Sequence, residues 1–319
     1  MLPFCIGVAA LVALVLAVNP RQFANAASRF EIRALPVVVA LGLGYYVLQG
    51  VRWHYLLRAV GVRINRRDTV LLNMAGQSTG LLPFGELTRA VLVAEACDAE
   101  LGGVIATITV QELIYTLIII AAAIPGALQH HAAADGIISA LVGTALVFLI
   151  LTVPALYRRV RGVVAHVPLL RRYLADIDEL QRDTVVLLRR WDTLTWSILS
   201  VGGALMAITL FWLVVHSLAP GFLSWPEAAF VYAVSHVVGA ITFSPGGLGS
   251  FEASAVGLLV AIGASVGLAA AAALLQRGAD KGLATIVGMI AFLVARRRYR
   301  FRGLAALTPR PSARPVAPS

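Results

Sequence analysis

The sequence predicts an all-α, polytopic transmembrane helical bundle of about eight spans with re-entrant or broken helices. Three observations carry that reading. Of 319 residues, 59% are hydrophobic and only 13% charged, with a mean hydropathy of +0.85, whereas a soluble domain carries about 25% charge. Apolar runs approaching about 20 residues, the length that crosses roughly 30 Å of hydrocarbon, recur along the chain. Two stretches then break the apolar pattern with Pro, Gly and Glu: Gly80 to Arg89 (GLLPFGELTR) and Thr242 to Glu252 (TFSPGGLGSFE). Backbone freed at membrane depth must be satisfied by neighbouring protein or by a wet cavity, so such breaks line sites. The expectation is that the two face each other and hold a polar group inside the bilayer.

In chain order, Leu2 to Val18 reads as a retained first span, because it lacks a basic leader and is long for a signal core; the small residues Ala24 and Ala26 keep a cleaved signal as the alternative. The next run, about Ala34 to Leu57, ends among Arg52, Arg58, Arg63, Arg66 and Arg67, which places that end in the cytoplasm. Thr69 to Leu82, interrupted by Asn73, Gln77, Ser78 and Thr79, is short for a span and suits a re-entrant segment. Glu86 and Arg89 share a helix face and could pair. Leu101 to Leu128 spans, with Glu112 about 16 Å from its start, near the middle of the hydrocarbon. A carboxylate at that depth marks a pathway or a hydrogen-bonded structural group.

The loop with His130 and His131 carries no Lys or Arg and is placed outside, its adjacent histidines exposed rather than metal-binding. Gly136 to Leu156 returns to a basic cytoplasmic segment, 157–193, where Leu170, Leu174, Ile177, Leu180, Leu187 and Trp191 recur at helical spacing between arginines. That pattern predicts an amphipathic helix on an anionic lipid surface. Leu194 to Leu218 spans outward. Ala228 to Phe243 carries Ser235 and His236; the histidine is expected to hydrogen-bond across helices, proton shuttling being the alternative, and the run either crosses or turns back. Ser250 caps a helix running to Leu275, whose free N–H groups would favour an anion; Glu252 could instead satisfy that terminus. Arg277 pairs with Asp280 by spacing. A last span, Leu283 to Ala295, stops at Arg296, Arg297 and Arg298. Both termini fall inside, although Arg21, Arg29 and Arg33 lie in a presumed outer loop. Domain organisation is therefore a membrane domain over 1–302 and a disordered Pro- and Ala-rich tail over 303–319.

The net charge of +10 would suggest nucleic acid in a soluble protein; here loops and tails hold the basic residues, so no nucleic-acid partner is expected. Cys5 and Cys97 stand far apart without metal-type spacing, so neither a disulfide framework nor a metal is predicted, and no cofactor. No HExxH, nucleophile elbow or nucleotide loop is present, which excludes the common enzyme classes.

The blocks Gly80 to Arg89, Gln111-Glu112-Leu113, and Ser244 to Glu252 followed by Gln276-Arg277 resemble the membrane domain of bacterial lysylphosphatidylglycerol synthases and their stand-alone, flippase-like relatives. The resemblance covers roughly residues 5 to 300, and the Ser-Pro-Gly-Gly-Leu-Gly…Glu block is its most specific part. The family's first motif usually has further residues between Pro and Gly-Glu; here Pro83-Phe84-Gly85-Glu86 is compressed. It implies a multi-pass domain of the bacterial cytoplasmic membrane that moves a lipid between leaflets. Only a short tail follows Arg302, so aminoacyl transfer is not carried over.

The expected substrate-lining residues are Glu86, Arg89, Glu112, Ser244, Pro245, Gly246, Gly247, Glu252, Arg277 and Asp280. Arginines would pair with a phosphate, and carboxylates would hold a cationic group or a proton. Two rival readings are a proton- or ion-coupled transporter of a small solute and a non-transporting scaffold. Lipid identity, energy source and assembly stay open, a homodimer being one candidate.

Overall fold

A computed structural model describes residues 25–80, 85–129, 153–166, 174–241 and 247–299, with Gly143, Leu146, Leu149, Ile150 and Phe301 besides. The expected span Leu2 to Val18, the His130 loop, most of Gly136 to Leu156, Leu170 and the tail lie outside the described residues. The described chain is helical, without strands: α1 (Leu35–Ala59), α2 (Arg66–Gly76), α3 (Gly85–Cys97), α4 (Leu101–Gln129), α5 (Pro154–Ala165), α6 (Leu174–Arg189), α7 (Trp191–Trp196), α8 (Ile198–Leu218), α9 (Trp225–Ile241), α10 (Ser250–Ala261), α11 (Val266–Arg277) and α12 (Leu283–Arg298).

Four of these stretches are long and apolar enough to cross a membrane: Ile32–Ala59, Leu101–Gln129, Trp191–Leu218 and Val266–Arg298. The last corrects the sequence reading. One helix was expected to run from Ser250 to Leu275 and another from Leu283. The chain instead breaks after Ala261, where Gly263 takes φ +112°, a conformation open to Gly at little cost. Ser265 then starts a new helix by accepting the Leu268 N–H at 3.3 Å. From Val266 that helix runs without a stop through a π-helical turn at Gly278–Gly282 into α12.

Directions follow from the packing. Helices α1 and α8 run antiparallel, with Gly42 near Leu210, Tyr45 near Gly203 and Leu48 near Gly202. Helix α2 returns along α1, since Gly50 lies against Val70 and Asn73, and α3 doubles back on α2, Gly76 abutting Arg89. The 11 residues of α2 span about 16 Å, half a hydrocarbon core, so α2 and α3 form a hairpin that enters and leaves by one face. That face carries Arg58, Arg66, Arg67 and, at the end of α12, Arg296, Arg297 and Arg298. Helices α9 and α10 form a second hairpin, closed where Gly239 meets Gly247. With only 12 residues in α10, it enters from the opposite face and turns back, which answers the question left by the run ending at Phe243.

The two halves are therefore inverted copies. Each has a span, a re-entrant hairpin and a second span: α1, α2–α3, α4, and then α8, α9–α10, α11–α12. Their cross-packing matches as well. Helix α4 lies along α9, with Gly126 against Pro226, just as α12 lies along α2, where a Cβ on Gly288 would come within 2.6 Å of Ser78 N. Between helices in lipid, small residues that allow close approach supply the association that hydrophobic exclusion does not. Ala269 to Ala273 on α11, all at 0% exposure, serve this purpose in the second core.

Among its described residues the 157–193 segment is divided between α5, α6 and the start of α7 rather than forming one helix. Arg161 clamps Asp178 with Nε and Nη2 at 2.7 and 2.9 Å, joining α5 to α6. Leu187, expected on a lipid-facing stripe, is fully buried with Ala106 and Val110 of α4. Trp191 is 79% exposed.

Candidate functional site

The polar groups gather around two ion pairs, one per repeat. In the first, Arg89 of α3 is fully buried and donates from Nη2 to Glu112 Oε1 on α4 at 2.9 Å. Its Nη1 lies 3.2 Å from Asn73 Oδ1 and 3.4 Å from Gln111 Oε1, and its guanidinium sits over the Trp53 ring. Asn73 in turn donates to the Tyr46 carbonyl and to Gln49 Oε1, and Gln111 donates to the Gln49 carbonyl. Arg89 thus pairs with Glu112; the expected local pair with Glu86 rests on a side chain outside the described residues.

In the second, Arg277 of α11 donates through Nε to Glu252 Oε1, and its guanidinium lies over Phe251. Glu252 is fully buried and its other oxygen accepts the Gly249 N–H at 2.7 Å. Gly249, at φ +80°, is therefore the N-cap of α10. Ser250 does not cap as expected; its hydroxyl donates to the Gly247 carbonyl. The anion position at this helix start is filled by the protein's own carboxylate. Asp280 does not pair with Arg277 either. It accepts from Tyr46 Oη of α1 at 2.6 Å. Ser244, Pro245 and Gly246 lie outside the described residues, and Gly247 lies in the turn closing the hairpin.

The two pairs occupy equivalent places with opposite signs. Glu112 is eleven residues beyond the start of α4, and Arg277 eleven beyond the start of α11, so each sits about 16 Å along a span. Each follows a buried Gln, Gln111 or Gln276. The hairpin supplies Arg89 in one half and Glu252 in the other. Satisfied in this way, the charges meet the requirement that polar groups at membrane depth be paired within protein.

Between α1, α4 and α8 lies a narrow cleft of about 20 Å³, lined among others by Tyr45, Gln49, Arg52, Glu112 and Ser200. The Glu112 side chain is 40% exposed, while its partner is 1% exposed, so the pair presents its carboxylate and hides its cation. Arg52, read from sequence as a marker of the cytoplasmic end, is instead buried. It donates to the Gln111 carbonyl at 3.0 Å and to Ser197 Oγ at 3.3 Å. Sequence reasoning missed it together with Gln49, although their spacing of three puts both on one helix face. Tyr45 also lines a second cavity, with Tyr232, Gln276 and Asp280. Tyr115 and Tyr232 join the two, their hydroxyls 3.0 Å apart. His236 lies against both rings, stacked on Tyr232 and edge-on to Tyr115.

On the basic face, the hydrogen bonds of Arg161 hold the Asp178 carboxyl below the usual carboxylate range. Burial, aided by Asp178, pushes the Tyr157 phenol up to about 12. Among the described residues no group of His, Cys, Asp and Glu is arranged to hold a metal ion.

Inverted repeats with hairpins that enter from opposite faces, and charges buried midway, define an all-α, multi-helix membrane protein. Comparison of sequences agrees in class: the chain belongs to the lysylphosphatidylglycerol synthase TM region family, whose profile matches residues 3–288. It is also similar to two UPF0104 membrane proteins of Methanothermobacter thermautotrophicus. One is 21% identical over 306 residues, covering 90% of this chain and 91% of the relative. The other is 23% identical over 299 residues, covering 85% and 88%.

Proposed function

We propose that this protein moves a polar-headed lipid between the leaflets of the cell membrane, its basic face being cytoplasmic. The observation that carries the reading is Glu112: a carboxylate midway along a 29-residue apolar helix, open to a cleft while its cation is sealed in protein. A bare head group meets a barrier of several kcal/mol per polar group in hydrocarbon. Gln49, Arg52, Glu112 and Ser200 line a cleft that substitutes for its water, and the acyl tails stay in lipid. Arg89 and Arg277 neutralise Glu112 and Glu252 at rest; a head group that displaces either pair would use the freed charge.

The test is a vesicle assay with a fluorescent phospholipid whose outer-leaflet copies are bleached chemically. Wild-type vesicles should bleach beyond the outer-leaflet fraction, and Glu112→Gln should fall back to protein-free vesicles. Equal rates in wild type and empty vesicles would refute the reading. The narrowness of the cleft favours a second one, ion-coupled transport of a small solute. Solute uptake that follows a pH gradient, without lipid movement, would select it.

A further inference from the structure

The longest helix departs from α geometry at Gly278–Gly282, a single π-helical turn. Such turns re-aim a side chain and concentrate at functional sites. Asp280 sits at its centre. It is half-buried, held by the neutral hydroxyl of Tyr46, and lines the second cavity. Gly42 on α1 permits this approach, since a Cβ there would stand 3.0 Å from the Ala279 carbonyl.

The neighbouring helices bring hydroxyls, one imidazole and an apolar wall toward Asp280. Helix α1 brings Tyr45 and Tyr46, α4 brings Tyr115, and α9 brings Tyr232 with His236 stacked on it. Helix α8 brings only Ala207 and Leu210. On its own helix, Gln276 shares the cavity, Arg277 is engaged with Glu252, and Lys281 follows directly. Tyr45 and Tyr115 both line the Glu112 cleft as well. A hydroxyl donates and accepts at once, and the bonded pair Tyr115–Tyr232 stands between the Glu112 cleft, which Tyr115 lines, and the cavity that Tyr232 and Asp280 share.

We propose that Asp280 is a proton-binding site that loads from the Glu112 cleft and couples transport to the proton gradient. A proton arrives from cleft water, adds to a carboxylate oxygen of Asp280 to give the neutral acid, and leaves by the same oxygen. Loading removes the charge from Asp280, so the Tyr46 bond tying α1 to the π-turn weakens from a charge-assisted to a neutral one. The coupling rests on the transport reading above; proton binding itself does not.

Infrared difference spectra of the full-length protein in phosphatidylglycerol nanodiscs, recorded across a pH titration, read protonation directly. Wild type should show a reversible protonated-carboxyl stretch that is absent in Asp280→Asn and shifted in Tyr46→Phe, which keeps the cavity filled should the first variant fold poorly. A wild-type spectrum without that band, or a band unmoved by both substitutions, would overturn the site. In the vesicle assay, a gradient of one pH unit should change the wild-type rate by up to about tenfold and leave Asp280→Asn unaffected. A wild-type rate indifferent to the gradient would overturn the coupling. Vesicles that move no lipid while the band persists would defeat the transport reading and leave the proton site standing.

Discussion

The Glu252 carboxylate serves two masters: one oxygen receives Arg277 Nε from α11, and the other caps the Gly249 N–H at the start of its own helix. A single side chain thus fixes the hairpin tip and binds it to the span behind. Removing one partner leaves a buried charge uncompensated, at a cost of about 3–5 kcal/mol. Glu252→Gln should lower the unfolding temperature in detergent sharply, and Arg277→Met added to it should restore much of the loss. Two losses that simply add would show that the pair is not coupled.

The first pair should behave asymmetrically. Arg89 is fully buried and Glu112 is its charged partner, so Glu112→Gln leaves a sealed cation uncompensated and should cost about 3–5 kcal/mol while abolishing transport. Arg89→Ala removes that cation and leaves the 40% exposed Glu112 to water, so its cost should come from the cavity of a fully buried side chain and from Asn73 losing its donor. Thermal scans set beside vesicle rates separate the two effects.

The packing of α12 on α2 depends on Gly288. Its Cβ direction points at Ser78 N and Met74 O, 2.6 and 2.7 Å away, backbone atoms that cannot swing aside. Gly288→Val should cost at least about 1–3 kcal/mol from overpacking. Gly257, with nothing within 4 Å, should accept Ala at no cost or with a gain of up to about 1 kcal/mol. Expression level and unfolding temperature of the two variants give the comparison.

The clamp between α5 and α6 should be lost in acid alone. Arg161 holds the Asp178 carboxyl below its ordinary range, so its stabilisation is fully present above the unfolded value, about 3.9, and disappears as pH falls through the lower folded value. Hydrogen exchange in α5 and α6 should be flat through neutral pH and rise only below about pH 4. Asp178→Asn should exchange at neutral pH as wild type does in acid.

Sequence alone located the elements of this site better than their partners. Pro and Gly beside Glu252 inside an apolar run announced a break, and counting from Leu101 put Glu112 at mid-depth, because both are local signals. Partner choice is not local: helix spacing offered Asp280 to Arg277, yet the observed partner is Glu252 on another helix, and Arg89 likewise reaches across to Glu112. The reversal at Gly263 was missed because Gly263-Ala264-Ser265 is small and apolar enough to pass for continued helix. Ser265 as a cap was the available clue. Arg52 was misplaced because a basic residue near the end of an apolar run ordinarily marks a surface.

The unbroken rod from Val266 to Arg298 has a mechanical meaning. Near one end it grips the outer hairpin through Arg277 and Glu252; farther along it seats the inner hairpin at Gly288 and ties Asp68 to Arg298 at 2.8 Å. The widened turn at Gly278–Gly282 lies between these grips. A displacement of either hairpin would be delivered to the other along a stiff shaft with one compliant joint.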